Sequence, residues 1–447
     1  MSFPFRMDRP AEHGAALPAA ADVVVIGGGV IGVSAALFLA RAGLRVTLLE
    51  KGRIAAEQSS RNWGWIRVQG RDMAEIPVAL EAQRLWQALD AECGGRLGIR
   101  QVGVSYLARG QKEMERFAAW LASARDHGLS SHLVEASGLD ALLPGAAAGW
   151  TGALHTPTDL KGEPWVAVPE LARLAVAEGA TILEGCAVRT LDIAGGRVAG
   201  VVTEHGTIRT SEAVLAGGAW SALFLRRHGI RVPQLSVRST ALATDPLPQR
   251  VAGAGVDDRV AFRPRADGGY TLAPSVAATL YVGPDAVRAA PSYLPVLRQG
   301  TVPVRLKPAA PAHFPDAWRT PRRWDADAES PFERMRILDP APDMAGAASA
   351  IAGFEAAFPD LGPVRARRVW AGMIDTMPDL VPVVDRAAPL PGLTLAFGMS
   401  GHGFGIGPAF GRIAADLVQG NAPGHDLVRF RLSRFSDGSR MVPGPNV

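Results

Sequence analysis

Apolar positions cluster at Val23–Ile26, break on three glycines, and resume as an uncharged stretch that reaches Ala40. A short apolar run bounded by turn residues predicts a strand buried on both faces. The next stretch, from Val30 to about Ala42, predicts a helix, and Arg45–Leu49, stopped by Glu50, predicts a second strand. Val23–Ala40 also has the length of a membrane span or a signal-peptide core, with Arg6 and Arg9 upstream. Three consecutive glycines inside it, and no small-residue cleavage site beyond Ala40, weigh against both readings. Residues 1–20, rich in Ala and Pro, read as a flexible extension.

Beyond Glu50 the texture changes. Helical spacing returns at Ala79–Leu89 and Lys112–Ala124, around a strand-like Gln101–Leu107. Gly152–Pro164 reads as a polar loop and Trp165–Glu178 as a helix. Thr181–Leu183, Ala187–Ile193, Arg197–Glu204 and Gly206–Thr210 read as short strands with glycine turns between them. Ala213–Ala216 is apolar, ends on Gly217 and Gly218, and passes into helix-like residues at Trp220 and Ser221. From about Val232, Leu235–Thr244, Val260–Arg265 and Gly269–Ala273 alternate like strands of an antiparallel sheet. Pro291–Trp324 is rich in proline and arginine, and Phe332–Met335 and Met344–Phe358 predict helices. Finally, Leu393–Phe397 predicts a strand running through a glycine-rich loop into a helix at Ala409–Leu417, with Pro408 in its first turn.

Two of these junctions carry chemistry. Gly27-Gly28-Gly29-Val30-Ile31-Gly32 fits G-x-G-x-x-G between a strand and a helix, with Glu50 ending the next strand. Gly27 permits the tight turn, Gly29 lets a pyrophosphate approach the backbone, and Gly32 lets the helix lie close to the sheet. The helix amino end, with its free N–H groups, favours phosphate, and Glu50 suits the ribose hydroxyls. The second junction, Gly401-His402-Gly403-Phe404-Gly405-Ile406-Gly407, again launches a helix from glycines. One phosphate group needs one such cradle, so two imply a ligand with two electron-rich ends. FAD is such a ligand, its pyrophosphate on the first helix and its flavin N1–C2=O edge on the second.

Composition narrows the alternatives. The chain has 447 residues, enough for one to three domains, and its 48% apolar and 20% charged content suits an ordered globular protein. Cys93 and Cys186 are its only cysteines, which excludes a disulfide scaffold and fits a reducing, cytoplasmic setting. The net charge of +4 comes from scattered arginines without a basic helix, so nucleic-acid binding is not expected. No Ser-His-Asp grouping or metal-ligand spacing is present, which fits a cofactor that performs the hard chemistry itself.

Across Val23–Glu50, Ser59–Arg67, Ala213–Ser221 and Phe397–Pro408, in that order, the chain resembles the glycine oxidase and sarcosine oxidase group of FAD-dependent amine and amino-acid oxidoreductases, the D-amino-acid oxidase superfamily. The segment Ser59–Arg67 is also similar to opine oxidase-type relatives. The likeness covers most of residues 21–420. It implies an α/β fold: a Rossmann-type FAD-binding domain, discontinuous in sequence, with a second α+β substrate domain on a mixed, largely antiparallel sheet. The boundaries expected are 21–78, 150–232 and 363–425 for FAD binding, 79–149 and 233–362 for substrate, and 426–447 as a C-terminal tail. Besides the two glycine loops and Glu50, it implies cofactor contacts from Lys51, Ser59, Ser60, Arg61, Asn62, Trp63, Gly64, Val188, Ala216, Gly217, Trp220 and Met373.

The chain departs from the sarcosine oxidase pattern in three places. Ala371–Thr376 holds no cysteine to attach the flavin, so FAD is expected to be non-covalent. Gly405 stands where those oxidases carry a carboxylate-pairing lysine, and their oxygen-activating lysine falls near Tyr281. Arg67 matches the arginine that holds a carboxylate in that group. It is a candidate clamp, or else a partner of a protein acid. Trp63 and Trp65 offer an aromatic wall or domain packing. His402 offers flavin tuning or a substrate contact, and Tyr270 and Tyr281 are weaker candidates for lining the site. Asp375 and Asp379 read as turn-fixing acids, and His155 and Asp159 carry no clear signal.

The reading is therefore an oxidoreductase that removes a hydride from a carbon next to nitrogen to FAD, in an amino acid, secondary amine or opine-like substrate bearing a carboxylate. The electron acceptor (oxygen, a quinone or a partner protein) is open. The rivals are a nicotinamide-dependent dehydrogenase and a flavoprotein subunit of a larger dehydrogenase.

Overall fold

Val23, Val24 and Val25 are sealed from water, as a β-branched run must be where helices cover both faces of a parallel sheet. The computed structural model describes residues 3–275, 278–299 and 304–444; residues 1–2, 276–277, 300–303 and 445–447, parts of the expected extension, second sheet, Pro/Arg-rich stretch and tail, lie outside the described residues. Strand Val23–Ile26 lies between Val46–Glu50 and Glu212–Leu215, all parallel. The sheet continues to Thr181–Glu184 on one side, and to Leu393–Phe397 and the antiparallel Val383–Arg386 on the other. Chain order thus reverses about Val23–Ile26. In an open α/β sheet, ligands bind at such a switch point, beyond the carboxyl ends of the strands.

Helices fill one side of this sheet, among them α1 (Val30–Arg41), α2 (Glu75–Glu92) and α3 (Gly403–Gln419), with Pro164–Ala177 packed in the same core. α1 bears no charge before Arg41 because it is enclosed on nearly every face. Fully burying Leu37 and Leu39 stabilises it by about 1.5–3 kcal/mol each. α1 and α3 run parallel and approach through glycines. A Cβ on Gly407 would stand 2.6 Å from Val30 Cγ2, and one on Gly411 2.4 Å from Ser34 Cβ. Val30 and Ser34 are one turn apart, as are Gly407 and Gly411, so the contact repeats along both helices.

α3 begins at Gly403, six residues before the expected start, and Pro408 is its sixth residue instead of part of its first turn. The missing proline N–H leaves the Phe404 carbonyl without its helical donor. The Trp86 indole of α2 donates to Phe404 O at 3.1 Å and to Gly405 O at 3.2 Å, which satisfies the break.

The second half is a mixed, mostly antiparallel ten-stranded sheet. Leu235–Thr244 runs at its centre, next to Tyr270–Pro274, Ala278–Tyr281 and Ala366–Thr376. The structure differs from the expectations in four respects. Ala366–Thr376 pairs along its length with Leu235–Thr244, so residues 366–376 belong to this sheet and not to the nucleotide half. Gly152–Thr156 and Leu160–Lys161 are strands, not a polar loop. Their polar side chains satisfy one another inside: Thr156 donates to Gln69 at 2.7 Å, and Asp159 accepts from Val68 N and Gln83 Nε2, each at 2.8 Å. α2 packs its Val78, Ala82 and Trp86 into the core of the nucleotide half, against α3. Pro284–Gln299 is helical despite Pro291 and Pro295.

Nor is the described part of the N-terminal extension loose. Phe3 is buried between Trp165 and Trp370 and stacks on the Arg61 guanidinium at 4.2 Å. Glu184 accepts from Glu12 N at 2.7 Å and His13 N at 3.2 Å. Two aromatics and a few backbone donors therefore fix a segment whose Ala/Pro content suggested freedom. The C-terminal segment packs as well, with Phe430 fully buried against Phe410 and Arg434 paired to buried Asp379 at 2.8 Å.

The glycine contact sets a stability test. Gly411→Val inserts atoms where α1 already lies, and the loss expected is at least ~1–3 kcal/mol. Denaturant unfolding measures it: the midpoint falls at unchanged slope, and an unchanged midpoint would show that the helices can part without cost.

Candidate functional site

The carboxyl ends of Val23–Ile26 and Leu393–Phe397 open onto one cavity of about 460 Å³. Gly27 to Ile31 line one end, and Gly401 to Gly405 line another part of the same wall. Gly27 has φ +111°, and a Cβ there would stand 2.5 Å from Ala216 O, so only glycine can make this turn. Val30 N, at the start of α1, donates to Ser59 Oγ at 2.9 Å. Among the described residues, no acceptor meets the N–H groups of Gly29 and Ile31, or of Gly403 and Phe404 at the start of α3. Two helix amino ends with free donors thus face one space, an arrangement that favours a ligand with negative charge at both places.

Glu50 closes the α1 end. Its oxygens accept from Gly28 N and Gly52 N at 2.7 Å each, and burial pushes its carboxyl up. Lys51 lines the cavity, but its ammonium is occupied by Glu57 at 2.6 Å, Arg336 O at 2.9 Å and Met335 O at 3.0 Å. Arg61 is held by Asp339 at 2.5 Å and Ala371 O at 2.7 Å, and Asn62 caps its own helical turn. Ser59, Trp63, Val188, Ala216, Gly217 and Trp220 also line the cavity.

Other expected contacts lie elsewhere. Gly32, Ser60, Gly64 and Ile406 are outside the lining. A Cβ on Gly32 would meet Gly27 O at 1.9 Å, so that glycine serves packing. The Met373 side chain is in the core, while its strand neighbours Gly372 and Ile374 face the cavity, as alternation along a strand requires. Tyr270 is fully buried beside Phe354 in the core of the second half, so it is not brought to the cavity. Tyr281 packs against Phe314 in another core cluster. Asp375 and Asp379 do fix local structure, accepting from Gly398 N at 2.7 Å and Arg434 Nε at 2.8 Å.

The remaining wall combines positive charge with aromatic surface. Trp63 and Trp65 meet edge to face at 5.2 Å, Tyr106 lies 6.5 Å from Trp65, and the Arg67 guanidinium sits 5.4 Å over the Tyr106 ring. Arg67 Nη1 donates to Gln69 O. Arg71, four residues further along the segment before α2, is 2% exposed, and its Nη1 has no hydrogen-bond partner. Burial and the nearby Arg67 pull the Arg71 guanidinium down to about 10. Burial likewise raises the Glu75 carboxyl to about 7 against the pull of Arg71 and Arg67, and raises Asp159 to about 7. Burial, Arg71 and Arg67 hold His402 well below the usual imidazole range. Arg71, Glu75, Tyr106 and Asp159 did not emerge from the sequence. The spacing 67, 71, 75, three charges at four-residue intervals entering an apolar helix, was the available signal for two of them.

Gly405 explains one departure physically. A Cβ there would stand 3.1 Å from Trp65 O and 3.3 Å from Ile66 Cα, so a side chain at this position would press on the backbone opposite it.

Residues 22–417 match the family described as "DAO: FAD dependent oxidoreductase". The fold is similar to the L-amino acid deaminase of Proteus myxofaciens, solved in complex with anthranilate: TM-score 0.90 and 30% identity, covering 95% of this chain and 96% of that one. The chain is 26% identical to the D-amino acid dehydrogenase of Paramagnetospirillum magneticum, over 93% of this chain and 99% of that protein. It is also 30% identical, over 51% of its length, to the mitochondrial sarcosine dehydrogenase of Mus musculus, of which the match covers only 26%.

The buried acid behind this wall sets a pH test. Asp159 holds its proton more tightly folded than unfolded, so its contribution to stability is full below about pH 4 and is lost as pH rises through about 7. Asp159→Asn keeps an oxygen for Val68 N and removes the titration. Its stability relative to the parent should rise between about pH 5 and pH 8. A difference that stays flat in parallel denaturant melts would place the titration elsewhere.

Proposed function

The chain belongs to the family of FAD-dependent oxidoreductases, and on that premise we propose that it oxidises the carbon–nitrogen bond of an amino acid or secondary amine that carries a carboxylate and a side chain bulkier than a methyl group. The observation that carries this reading is the convergence of α1 and α3 on one cavity whose remaining wall is Arg67, Arg71, Trp63, Trp65 and Tyr106. The free N–H groups of Gly29 and Ile31, with Ser59, would hold the pyrophosphate, and Glu50 the ribose. Those of Gly403 and Phe404 would hold the flavin edge that gains charge on reduction. When bound, FAD supplies the acceptor for a hydride from the carbon next to nitrogen, leaving an imine that water hydrolyses.

The protein's own part is recognition and exclusion of water. Arg67 retains donors beyond the one given to Gln69 O and meets the substrate carboxylate. With glycine at position 405, pressed against the backbone of Trp65 and Ile66, α3 offers no cation at this point, and carboxylate recognition passes to the arginine wall opposite it. The two tryptophans and Tyr106 give an apolar surface for a large side chain and keep the reacting carbon dry. The amino-acid substrates named for the deaminase and the dehydrogenase support this class. Cys93 and Cys186 are both buried in core clusters away from the cavity, which supports non-covalent FAD.

Two experiments test this. Acid precipitation should release all the yellow colour into the supernatant as FAD; colour left on the pellet would mean a covalent bond. Anaerobic addition of amino acids with aromatic or long aliphatic side chains should bleach the flavin. Arg67→Ala should weaken those substrates by ~2–5 kcal/mol, the cost of leaving one member of a desolvated ion pair alone. Equal kinetics for both proteins would take Arg67 out of the site.

A further inference from the structure

Behind the cavity wall is a cluster that the reaction as described does not use. Glu75, the first residue of α2, has no exposed side-chain surface, and neither carboxyl oxygen has a hydrogen-bond donor. Its Oε2 lies 3.5 Å from His402 Nδ1 and 3.9 Å from Arg71 Nη1. Those two nitrogens are themselves sealed and unpartnered. A buried polar atom left without a partner costs about 1–3 kcal/mol. Four such atoms, brought to one place by α2, by the segment before it and by the start of α3, are arranged for something other than stability. The other charged groups facing Glu75 are Arg67 from the preceding segment, Arg429 from the C-terminal segment and Asp379 from the turn after strand Ala366–Thr376; those facing His402 are Arg71 and Arg67. The imidazole keeps 21% of its side-chain surface and lines the cavity.

We propose that Glu75 is a positioning residue that sets the tautomer of His402, so that His402 Nε2 takes a proton from the ammonium group of the substrate. This rests on the amine-oxidising reading above. With Glu75 ionised, Nδ1–H points to its carboxylate and Nε2 presents a lone pair to the cavity. When a substrate ammonium arrives, one N–H bond breaks, its electron pair stays on the amine, and the proton bonds to Nε2. The imidazolium that forms is balanced by the Glu75 carboxylate 3.5 Å away. The neutral amine then has the lone pair that loss of a hydride from the adjacent carbon requires. Burial and the two arginines keep the imidazole unprotonated until then, which a base must be. When Glu75 takes up a proton, its O–H donates to Nδ1, the ring hydrogen moves to Nε2, and the base is lost.

The test compares the holoenzyme with Glu75→Gln. The parent kcat/KM should fall tenfold per pH unit below about pH 7 on a single-proton limb, where burial places the Glu75 carboxyl. In Glu75→Gln that limb disappears, and the rate at about pH 8 falls ten- to a hundred-fold, part of the ~10²–10⁴ that a positioned base supplies. A second readout needs no turnover: ¹⁵N NMR of histidine-labelled holoenzyme, with the His402 signals assigned by loss in His402→Gln. The parent should show Nδ1-protonated His402 at about pH 8, converting to the Nε2-protonated form below about pH 7, and Glu75→Gln should abolish the conversion. The same acid limb and tautomer in both proteins overturns the proposal. If no amine bleaches the parent flavin, the functional reading fails, and the NMR titration still decides whether Glu75 governs the ring.

Discussion

The closeness of two helices is the constraint on which the site depends. Gly407 and Gly411 let α3 lie against Val30 and Ser34 of α1 with no side chain between them. Because the helices are parallel and in register by turns, their amino ends finish on the same side of the sheet. Each end carries roughly half a positive charge in its free N–H groups. Like poles side by side repel, so the packing also holds an electrostatic cost in place. A negatively charged ligand spanning both ends relieves it. The Trp86 indole, by donating to the Phe404 carbonyl that Pro408 leaves free, lets α3 start early enough for Gly403 and Phe404 to reach the cavity.

The opposite wall is fixed by buried charge. Arg263, 1% exposed, joins the second sheet to the nucleotide half by pairing with Glu163 at 2.8 Å and donating to Trp63 O at 2.6 Å. The aromatic wall is thus tied to a buried ion pair, whose geometry tolerates little displacement because breaking it strands a charge. Arg61 spans the same seam, with Asp339 and Ala371 O on one side and Phe3 stacked on its plane. Through that stack the N-terminal segment braces Arg61 in the cavity wall.

How much of this could be read in the chain depends on whether a residue's neighbours are local. Gly27–Gly32 and Gly401–Gly405 were legible because a strand, a turn and a helix start write their own sequence signature. Arg67, Trp63 and Trp65 came with the short segment that surrounds them. Tyr106 comes from a strand of the second sheet and meets Trp65 only through tertiary packing. Residues 152–161 looked like a loop because Thr156 and Asp159 are polar. Their partners, Gln69, Val68 and Gln83, lie more than seventy positions away. Tyr270 misled for the opposite reason: a tyrosine near a hairpin suggests a site, yet this one is fully buried against Phe354. Phe3 and Phe5 have no periodicity at all, so nothing short of the folded Trp165–Trp370 surface shows where they go.

The same logic links Gly405 to the charges opposite it. α3 passes close to the backbone of Trp65 and Ile66, and with glycine at position 405 it presents no cation there. A carboxylate brought into so enclosed a space must still be neutralised, since an unpaired buried charge is far too costly. On the proposed reading Arg67 and Arg71 would supply that charge from the strand-to-helix segment, with Glu75 close behind Arg71. Without an acid there, two guanidiniums and a helix amino end would face one another across the pocket with nothing to balance them. With it, the proposed anion site, the unprotonated imidazole and the sealed carboxyl would stand side by side, which is what an amino acid, itself both anion and acid, requires of its binding site.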